Sequence, residues 1–190
     1  EVTAGNITYE GKELSELEPE ERSELGLFLS FQHPTEIPGL KVADYLKAIR
    51  EKKTGEKLRP LQFKKYLREQ LGKLGIDEKF TTRYLNEGFS GGEKKRMEIL
   101  QMALLEPKMA VLDETDSGLD IDALKDVASG VNALKEEHMG ILVITHYQRI
   151  LNYLEPDRVV IMMDGQVVRE GGAELVEKLE SEGYTWMKKA

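Results

Sequence analysis

The chain contains no cysteine. It therefore forms no disulfide bonds and cannot hold a metal cluster through its own thiolates. It also lacks any apolar run approaching the roughly 20 residues that a membrane-spanning helix needs. The absence of cysteine fits a reducing compartment, and together with the absence of a membrane-spanning run it leads us to expect a cytoplasmic protein.

Positive charge is also in deficit. The chain has 27 Lys and Arg against 35 Asp and Glu, a formal net charge of -8. An acidic surface repels phosphate backbones, so general nucleic-acid binding is disfavoured. The length of 190 residues and the hydrophobic fraction of 40% are ordinary for one globular domain with a small subdomain.

What is present is an alternation of strands and helices. Short apolar runs at 27–31, 109–112 and 141–144 predict buried strands, and a helical pattern follows each of the last two. This order predicts an α/β fold with a mostly parallel sheet covered by helices. Near the end of the chain, 159–163 and 166–168 predict a hairpin around a two-residue Asp-Gly turn.

Residues 38–88 differ in character, because their apolar residues follow helical spacing in two stretches. We therefore divide the chain into 1–37, an N-terminal part of the core, 38–88, a helical subdomain, and 89–190, the rest of the core. Residues 33–39 contain two prolines and a glycine, which predicts a loop.

The string Ser90-Gly91-Gly92-Glu93 has two interpretations. Ser-x-x-Glu is a capping box, in which the two side chains satisfy amides at a helix start. A cap needs no glycines, however, and bare amides at a helix N-terminus form a site for a phosphate. Both interpretations can hold together.

Two adjacent carboxylates, Asp113 and Glu114, end the apolar run 109–112. A buried strand explains the run but not the pair of acids. In open α/β sheets, ligands bind outside the carboxyl ends of strands. There an Asp can hold Mg²⁺, and a neighbouring Glu can deprotonate an attacking water.

Three further polar residues are candidates for the same region. Gln32 follows one predicted strand and His146 another, so each is expected at the same sheet edge as Glu114. The alternatives are a surface-loop residue for Gln32 and a structural histidine for His146. Asp120 either caps the next helix or contacts a ligand. Most simply, Lys94, Lys95 and Arg96 form a solvated helix face, and the methionines at 97, 102, 162 and 163 are core.

With these motifs in place, the chain resembles ATP-binding-cassette (ABC) ATPases over essentially its whole length. More narrowly, it resembles the SufC subfamily, the ATPase subunits of the SUF iron–sulfur cluster assembly system. The resemblance is carried by residues 31–39, 85–96, 113–120 and 145–151. It implies a P-loop NTPase-like fold with ATP and Mg²⁺ as ligands.

The resemblance also implies a role for each candidate. Gln32 would contact Mg²⁺ and the attacking water, Asp113 would hold the metal, Glu114 would be the catalytic base and His146 the switch histidine. Ser90, Gly91, Gly92 and Glu93 would form the signature that contacts the γ-phosphate of ATP bound to a second cassette, and Asp120 would lie at that dimer interface. The helical subdomain would dock onto scaffold proteins such as SufB and SufD.

One motif of the family is absent. No G-x-x-x-x-G-K-[ST] phosphate loop occurs in the sequence, and the chain opens in strand-like sequence without a methionine. We interpret the chain as a segment of a longer protein from which the N-terminal strands and phosphate loop have been left out. The segment alone is expected to bind ATP poorly, to be poorly stable and not to hydrolyse ATP.

Three rival functions share these motifs. A transporter cassette would bind a membrane permease in place of SufB or SufD. A DNA-repair or cohesion-type ATPase would have long coiled coils between its motifs, which this short insert does not provide. A catalytically inactive cassette would lend its signature to the ATP of a partner, which the missing phosphate loop would suit.

Overall fold

The computed structural model describes residues 3–135 and 138–184. Its strands, in chain order, are β1 (Thr8–Tyr9), β2 (Lys12–Glu13), β3 (Leu27–Ser30), β4 (Ile37–Lys41), β5 (Tyr84–Leu85), β6 (Met109–Asp113), β7 (Gly140–Ile144), β8 (Val159–Met163) and β9 (Gln166–Gly171). Its α-helices are α1 (Pro19–Glu24), α2 (Val42–Thr54), α3 (Pro60–Lys73), α4 (Gly91–Leu105), α5 (Ile121–Leu134) and α6 (Glu174–Glu182). Short 3-10 helices cover Leu14–Glu16, Glu78–Thr82 and Gln148–Asn152.

The central sheet consists of β3, β6 and β7, all parallel, with β6 in the middle. One face is buried, and its core includes Phe28, Ala110 and Leu112 together with side chains of α4 and α5. The predicted parallel sheet with helical cover is therefore confirmed on this face.

The other face of the sheet carries apolar side chains that remain accessible. Leu29, Leu142 and Ile144 are each 46% exposed. The register pairs Leu29 with Val111 and Val111 with Leu142, so these side chains form one continuous surface. Parallel sheets normally have both faces covered, which makes this surface unusual.

The two helical stretches predicted within 38–88 are present as α2 and α3, and they pack on α4 in a second hydrophobic core. The predicted loop at 33–39 is wrong in part, because β4 begins at Ile37 and pairs with β5. Pro38 is tolerated there because the pair is a two-stranded edge with a register shift between Ile37 and Lys41.

The hairpin of β8 and β9 turns through Asp164 and Gly165, whose φ angles of 51° and 76° match the predicted two-residue turn. Ile161 points inward to α6, whereas Met162 is 61% exposed, so the prediction that Met162 is core was wrong. Strand alternation explains the difference, since neighbours on a strand face opposite sides. Within the described residues, no helix combines the length and apolarity that crossing a bilayer requires.

Candidate functional site

The carboxyl ends of β3, β6 and β7 bring three of the predicted residues into contact. The Gln32 side-chain amide donates a hydrogen bond of 2.6 Å to Oε2 of Glu114. Nδ1 of His146 lies 3.2 Å from Oε1 of the same carboxylate. The parallel sheet explains the meeting, because each residue lies one or two positions beyond a strand that ends at the same edge. Glu114 is therefore the centre of a three-residue cluster.

The backbone of Glu114 is held in an unusual conformation. Its φ is 44°, a left-handed value that costs a residue with a Cβ about 1 kcal/mol or more. The Glu114 amide donates to the carbonyl of Ile144 at 2.8 Å, and the Glu114 carbonyl accepts from the amide of Ser117 at 3.0 Å. The first bond ties the strained residue to the end of β7, and the second closes a turn after it. The Glu114 side chain remains 28% exposed.

Asp113 is the last residue of β6 and pairs in register with Ile144. Its carboxylate and the amide oxygen of Gln32 are the hard oxygen ligands that Mg²⁺ prefers. Among the residues that the structure describes, no group of three or more His, Cys, Asp or Glu could hold a metal alone. The donor set fits Mg²⁺ bound in the usual way, through one or two protein oxygens with water and phosphate completing the shell.

A loop beside this cluster is fixed by a second polar contact. The hydroxyl of Thr145 donates to Oδ2 of the buried Asp116 at 2.7 Å and accepts from the amide of Tyr147 at 2.9 Å. Thr145 thus links the turn after β6 to the segment that carries His146. Sequence reasoning did not assign a role to either residue of this pair.

The capping box predicted at α4 is present. Ser90 Oγ accepts from the amide of Glu93 at 3.2 Å, and Glu93 Oε2 accepts from the amide of Ser90 at 2.8 Å. Arg83 also pairs with Glu93, at 3.2 Å. Burial raises the pKa of Glu93, but the Ser90 amide and the Arg83 charge outweigh it, so the pKa lies below its usual value.

The two glycines of the signature string differ in their surroundings. A Cβ on Gly92 would lie 2.8 Å from the Cβ of Ala123 on α5, which is too close. A Cβ on Gly91 would meet only a terminal carbon of Leu119 at 3.8 Å, an ordinary contact. Gly92 therefore has a packing reason to be glycine, and Gly91 alone supports the argument for an open anion site.

An open depression of about 300 Å³ lies at the N-terminus of α4. It is lined by Ser90, Gly91, Gly92 and Arg96, by residues 118–120 and by the first turns of α5. Asp120 caps α5, since its carboxylate accepts from the amide of Ala123 at 2.8 Å. The structure thus forms two separate groups, one around Glu114 and one around Ser90 and Asp120.

Two functional candidates escaped the sequence analysis. Lys95, predicted to lie on a solvated face, is 4% exposed and forms an ion pair with Glu98, which is 3% exposed. Lys95 is buried because α4 lies between two hydrophobic cores and has little solvated surface. The available signal was the Lys–Glu spacing of three residues, which places both side chains on one side of a helix.

Comparison with solved structures identifies the fold as a nucleotide-binding cassette. The chain superimposes with a TM-score of 0.74 on a dimeric post-hydrolysis state of the ATP-binding cassette MJ0796 bound to ADP and Pi, covering 90% of this chain and 74% of that one at 20% identity. It also matches MJ1267, an ATP-binding cassette of an ABC transporter, with a TM-score of 0.74 and 25% identity over 99% of this chain and 78% of that one. The predicted P-loop NTPase-like cassette fold is confirmed.

Residues 1–117 match the ABC transporter family. The chain is 52% identical over 190 residues to vegetative protein 296 of Bacillus subtilis, covering 99% of this chain and 73% of that protein. It is equally similar, 52% over 191 residues, to the probable ATP-dependent transporter ycf16 of Cyanophora paradoxa, covering 98% and 74%. The chain belongs to the ABC family of ATP-hydrolysing cassettes.

Proposed function

We propose that Glu114 is the general base of ATP hydrolysis and that Gln32 and His146 orient it. The supporting observation is that both side chains contact the same carboxylate, at 2.6 and 3.2 Å. A base at a strand end can accept a proton from water as the water attacks a phosphate. The strained backbone of Glu114 fits this role, because strain of this kind clusters at active sites.

Mg²⁺ bound with ATP neutralises charge on the phosphate oxygens, and Asp113 and Gln32 would hold it. The chain's own residues do the rest of the work at this edge of the sheet. Glu114 takes the proton of the attacking water on a lone pair that its hydrogen bonds leave free, and His146 restrains the carboxylate at Oε1. The Gln32 amide group supplies the second restraint on the carboxylate.

We further propose that Ser90, Gly91 and Gly92 contact nucleotide held by a second copy of the chain, with Asp120 at the interface and Glu93 supporting the helix start. Amides at the N-terminus of α4 favour a phosphate. Asp120 and Asp122 line the same depression and would repel a free phosphate, whereas the charge of Asp126 is offset by its ion pair with Arg96, which also lines the depression. A nucleotide already neutralised by Mg²⁺ on a partner suits this mixture better, and the similar MJ0796 is a dimer with ADP and Pi.

The free energy of ATP hydrolysis drives a conformational change in a partner protein, and two kinds of partner are candidates. The names of relatives such as the probable ATP-dependent transporter ycf16 favour a transporter permease. The Glu-Thr-Asp string after β6 and the Tyr-Gln-Arg string after His146 resemble the SufC subfamily, which favours SufB- and SufD-like scaffolds for iron–sulfur cluster assembly. In either case, we propose that the segment 38–88 is the docking subdomain.

Co-purification distinguishes the two partners. A tagged full-length protein isolated with its native partners would retain SufB- and SufD-like chains if it serves a scaffold, and a membrane permease if it serves a transporter. Recovery of a permease alone would overturn the scaffold assignment without affecting the assignment of Glu114.

Glu114→Gln in the full-length protein tests the catalytic proposal. General bases raise the rate of the chemical step about 10²–10⁴-fold, so kcat should fall by at least about 10²-fold while ATP affinity is retained. Glu155→Gln is the matched control, because Glu155 is an exposed glutamate that belongs to none of the motifs. Turnover at the wild-type rate in the Glu114 variant would overturn the proposal.

The inactive-cassette alternative predicts a different pattern. A cassette that only lends its signature would show no loss with Glu114→Gln in mixed oligomers with an intact cassette. In the same mixed oligomers, Ser90→Arg should abolish the activity of the partner, since it fills the depression at the start of α4.

A further inference from the structure

The buried ion pair of Lys95 and Glu98 lies on α4 where that helix passes the end of β3. Lys95 Nζ is 2.9 Å from Glu98 Oε2, and each side chain is 5% exposed. Burying two charges is costly, and replacing such a pair with apolar residues is often neutral or stabilising. Stability alone therefore does not account for the pair, and its other contacts carry the explanation.

Those contacts converge on two consecutive residues of the strand end. The Ser30 hydroxyl donates to Glu98 Oε2 at 2.9 Å, and the Phe31 amide donates to Glu98 Oε1 at 2.8 Å. Lys95 Nζ donates to the carbonyl of Phe31. Both backbone polar groups of Phe31 are therefore fixed by α4, although the Phe31 side chain is 58% exposed.

The residue that follows is Gln32, whose amide contacts Glu114. A residue whose N–H and C=O are both held fixes the two peptide groups around it, so the Cα of the next residue has little freedom. We propose that Lys95 and Glu98 are positioning residues that set Gln32 against Glu114. This inference rests on the function proposed above for Gln32 and Glu114.

The position of the pair on α4 gives the contact a second consequence. Ser90 caps the same helix, and α4 is continuous from Gly91 to Leu105. A displacement of the helix start by a nucleotide on a partner would move Lys95 and Glu98 with it, and through Phe31 it would move Gln32. The two groups of the candidate site are thus mechanically connected within one chain.

Two variants of the full-length protein test the proposal. Glu98→Gln leaves Lys95 without its counter-charge, and Ser30→Ala/Lys95→Met/Glu98→Leu replaces the whole cluster with apolar groups that should keep the fold. Misplacement by about 1 Å can cost roughly 10²-fold, so we expect kcat to fall about tenfold or more while KM for Mg-ATP changes little. A triple variant that folds and retains wild-type kcat would overturn the proposal.

Combination with Gln32→Ala separates positioning from general damage. If the pair acts through Gln32, the triple change should lower kcat much less in the Gln32→Ala background than in the wild type. Equal losses in both backgrounds would overturn the proposal. Hydrogen exchange without nucleotide gives a readout independent of activity, since the Phe31 amide should exchange faster in the triple variant; unchanged exchange would also overturn it.

Arg50→Gln is the matched control. Arg50 pairs with Glu106 and donates to the carbonyl of Leu104, so it anchors the opposite end of α4 by a similar cation–carbonyl contact. Assayed without partner proteins, which would contact segment 38–88, Arg50→Gln should leave the kcat unaffected at temperatures where the protein is folded. Loss of activity in Glu114→Gln with normal activity in the triple variant would refute this inference alone, whereas full activity in Glu114→Gln would refute the function on which it rests.

Discussion

At the scale of single residues, the two glycines of the signature string make a controlled pair. Gly92→Ala would place a methyl group 2.8 Å from the Cβ of Ala123, which cannot rotate away. Overpacking of this kind costs about 1–3 kcal/mol, so we expect thermal unfolding at a lower temperature. Gly91→Ala meets no such contact and should keep the wild-type stability. Equal destabilisation by both changes would contradict the packing explanation.

Thr115 offers a second residue-scale prediction. It is 1% exposed, and its hydroxyl has no hydrogen-bond partner in the described part of the chain. Since an unsatisfied buried polar group costs about 1–3 kcal/mol, Thr115→Val should raise the unfolding temperature. Thr81→Val is the control, because the buried Thr81 hydroxyl donates to the Glu78 carbonyl at 2.7 Å and its loss should lower that temperature. A lower unfolding temperature in the Thr115 variant would mean that its hydroxyl is satisfied.

At the scale of elements, the start of α4 should respond to pH through Glu93. The pKa of Glu93 is lowered in the folded protein, because the Ser90 amide and Arg83 outweigh the effect of burial. The carboxylate therefore adds stability above its unfolded pKa of about 4.3, and that stability is lost as the pH falls through the lower folded value. Glu93→Gln should be less stable than wild type at pH 7, and the difference should shrink in acid unfolding experiments near pH 3. A difference independent of pH would contradict this explanation.

Local chemistry made several elements predictable from sequence. The capping box at Ser90, the Asp-Gly turn at 164–165 and the apolar run ending at Asp113 each depend on a few neighbouring residues, and each is present. The contact of Gln32 with Glu114 was predictable only as proximity, through the rule that parallel strands end at one edge. Strand β4 was missed because pairing with β5 overrides the turn signals of Pro38 and Gly39.

The buried Lys95–Glu98 pair could not be predicted from the pattern of α4. A helix with one buried side shows a polar stripe, and charged residues are assigned to it. Helix α4 contributes Met97 and Leu100 to one core and Ile99 and Met102 to the other, so apolar residues surround the helix. The position of a charge on such a helix is decided by tertiary contacts.

At the scale of the whole molecule, the 190-residue polypeptide alone should not hydrolyse Mg-ATP. Its sequence contains no G-x-x-x-x-G-K-[ST] string, whose amides and lysine hold the phosphates in P-loop ATPases. Phosphate release from the purified polypeptide, measured against the Glu114→Gln form as a blank, checks this. Turnover above that blank would show that other groups hold the phosphates.

The uncovered face of the central sheet should also affect this polypeptide. Leu29, Leu142 and Ile144 present a contiguous apolar surface, and such surfaces promote self-association. Leu142→Lys should therefore reduce the concentration-dependent light scattering of the isolated polypeptide, while Leu61→Lys, at an isolated exposed position on α3, should not. Equal effects of the two changes would indicate that net charge, not this surface, controls association.

The double burial of α4 has a consequence for how the sequence can vary. Eight of its 15 residues are buried, and they include both members of an ion pair that reaches the strand before Gln32. A helix on the outside of a protein accepts sequence changes at most of its positions, whereas α4 is constrained by packing on both sides and by the capping box at its start. In a saturation-mutagenesis library selected for function, the segment 90–105 should therefore tolerate fewer replacements than any other helix among the residues that the structure describes. Substitutions there should seldom be rescued by a change at only one other site.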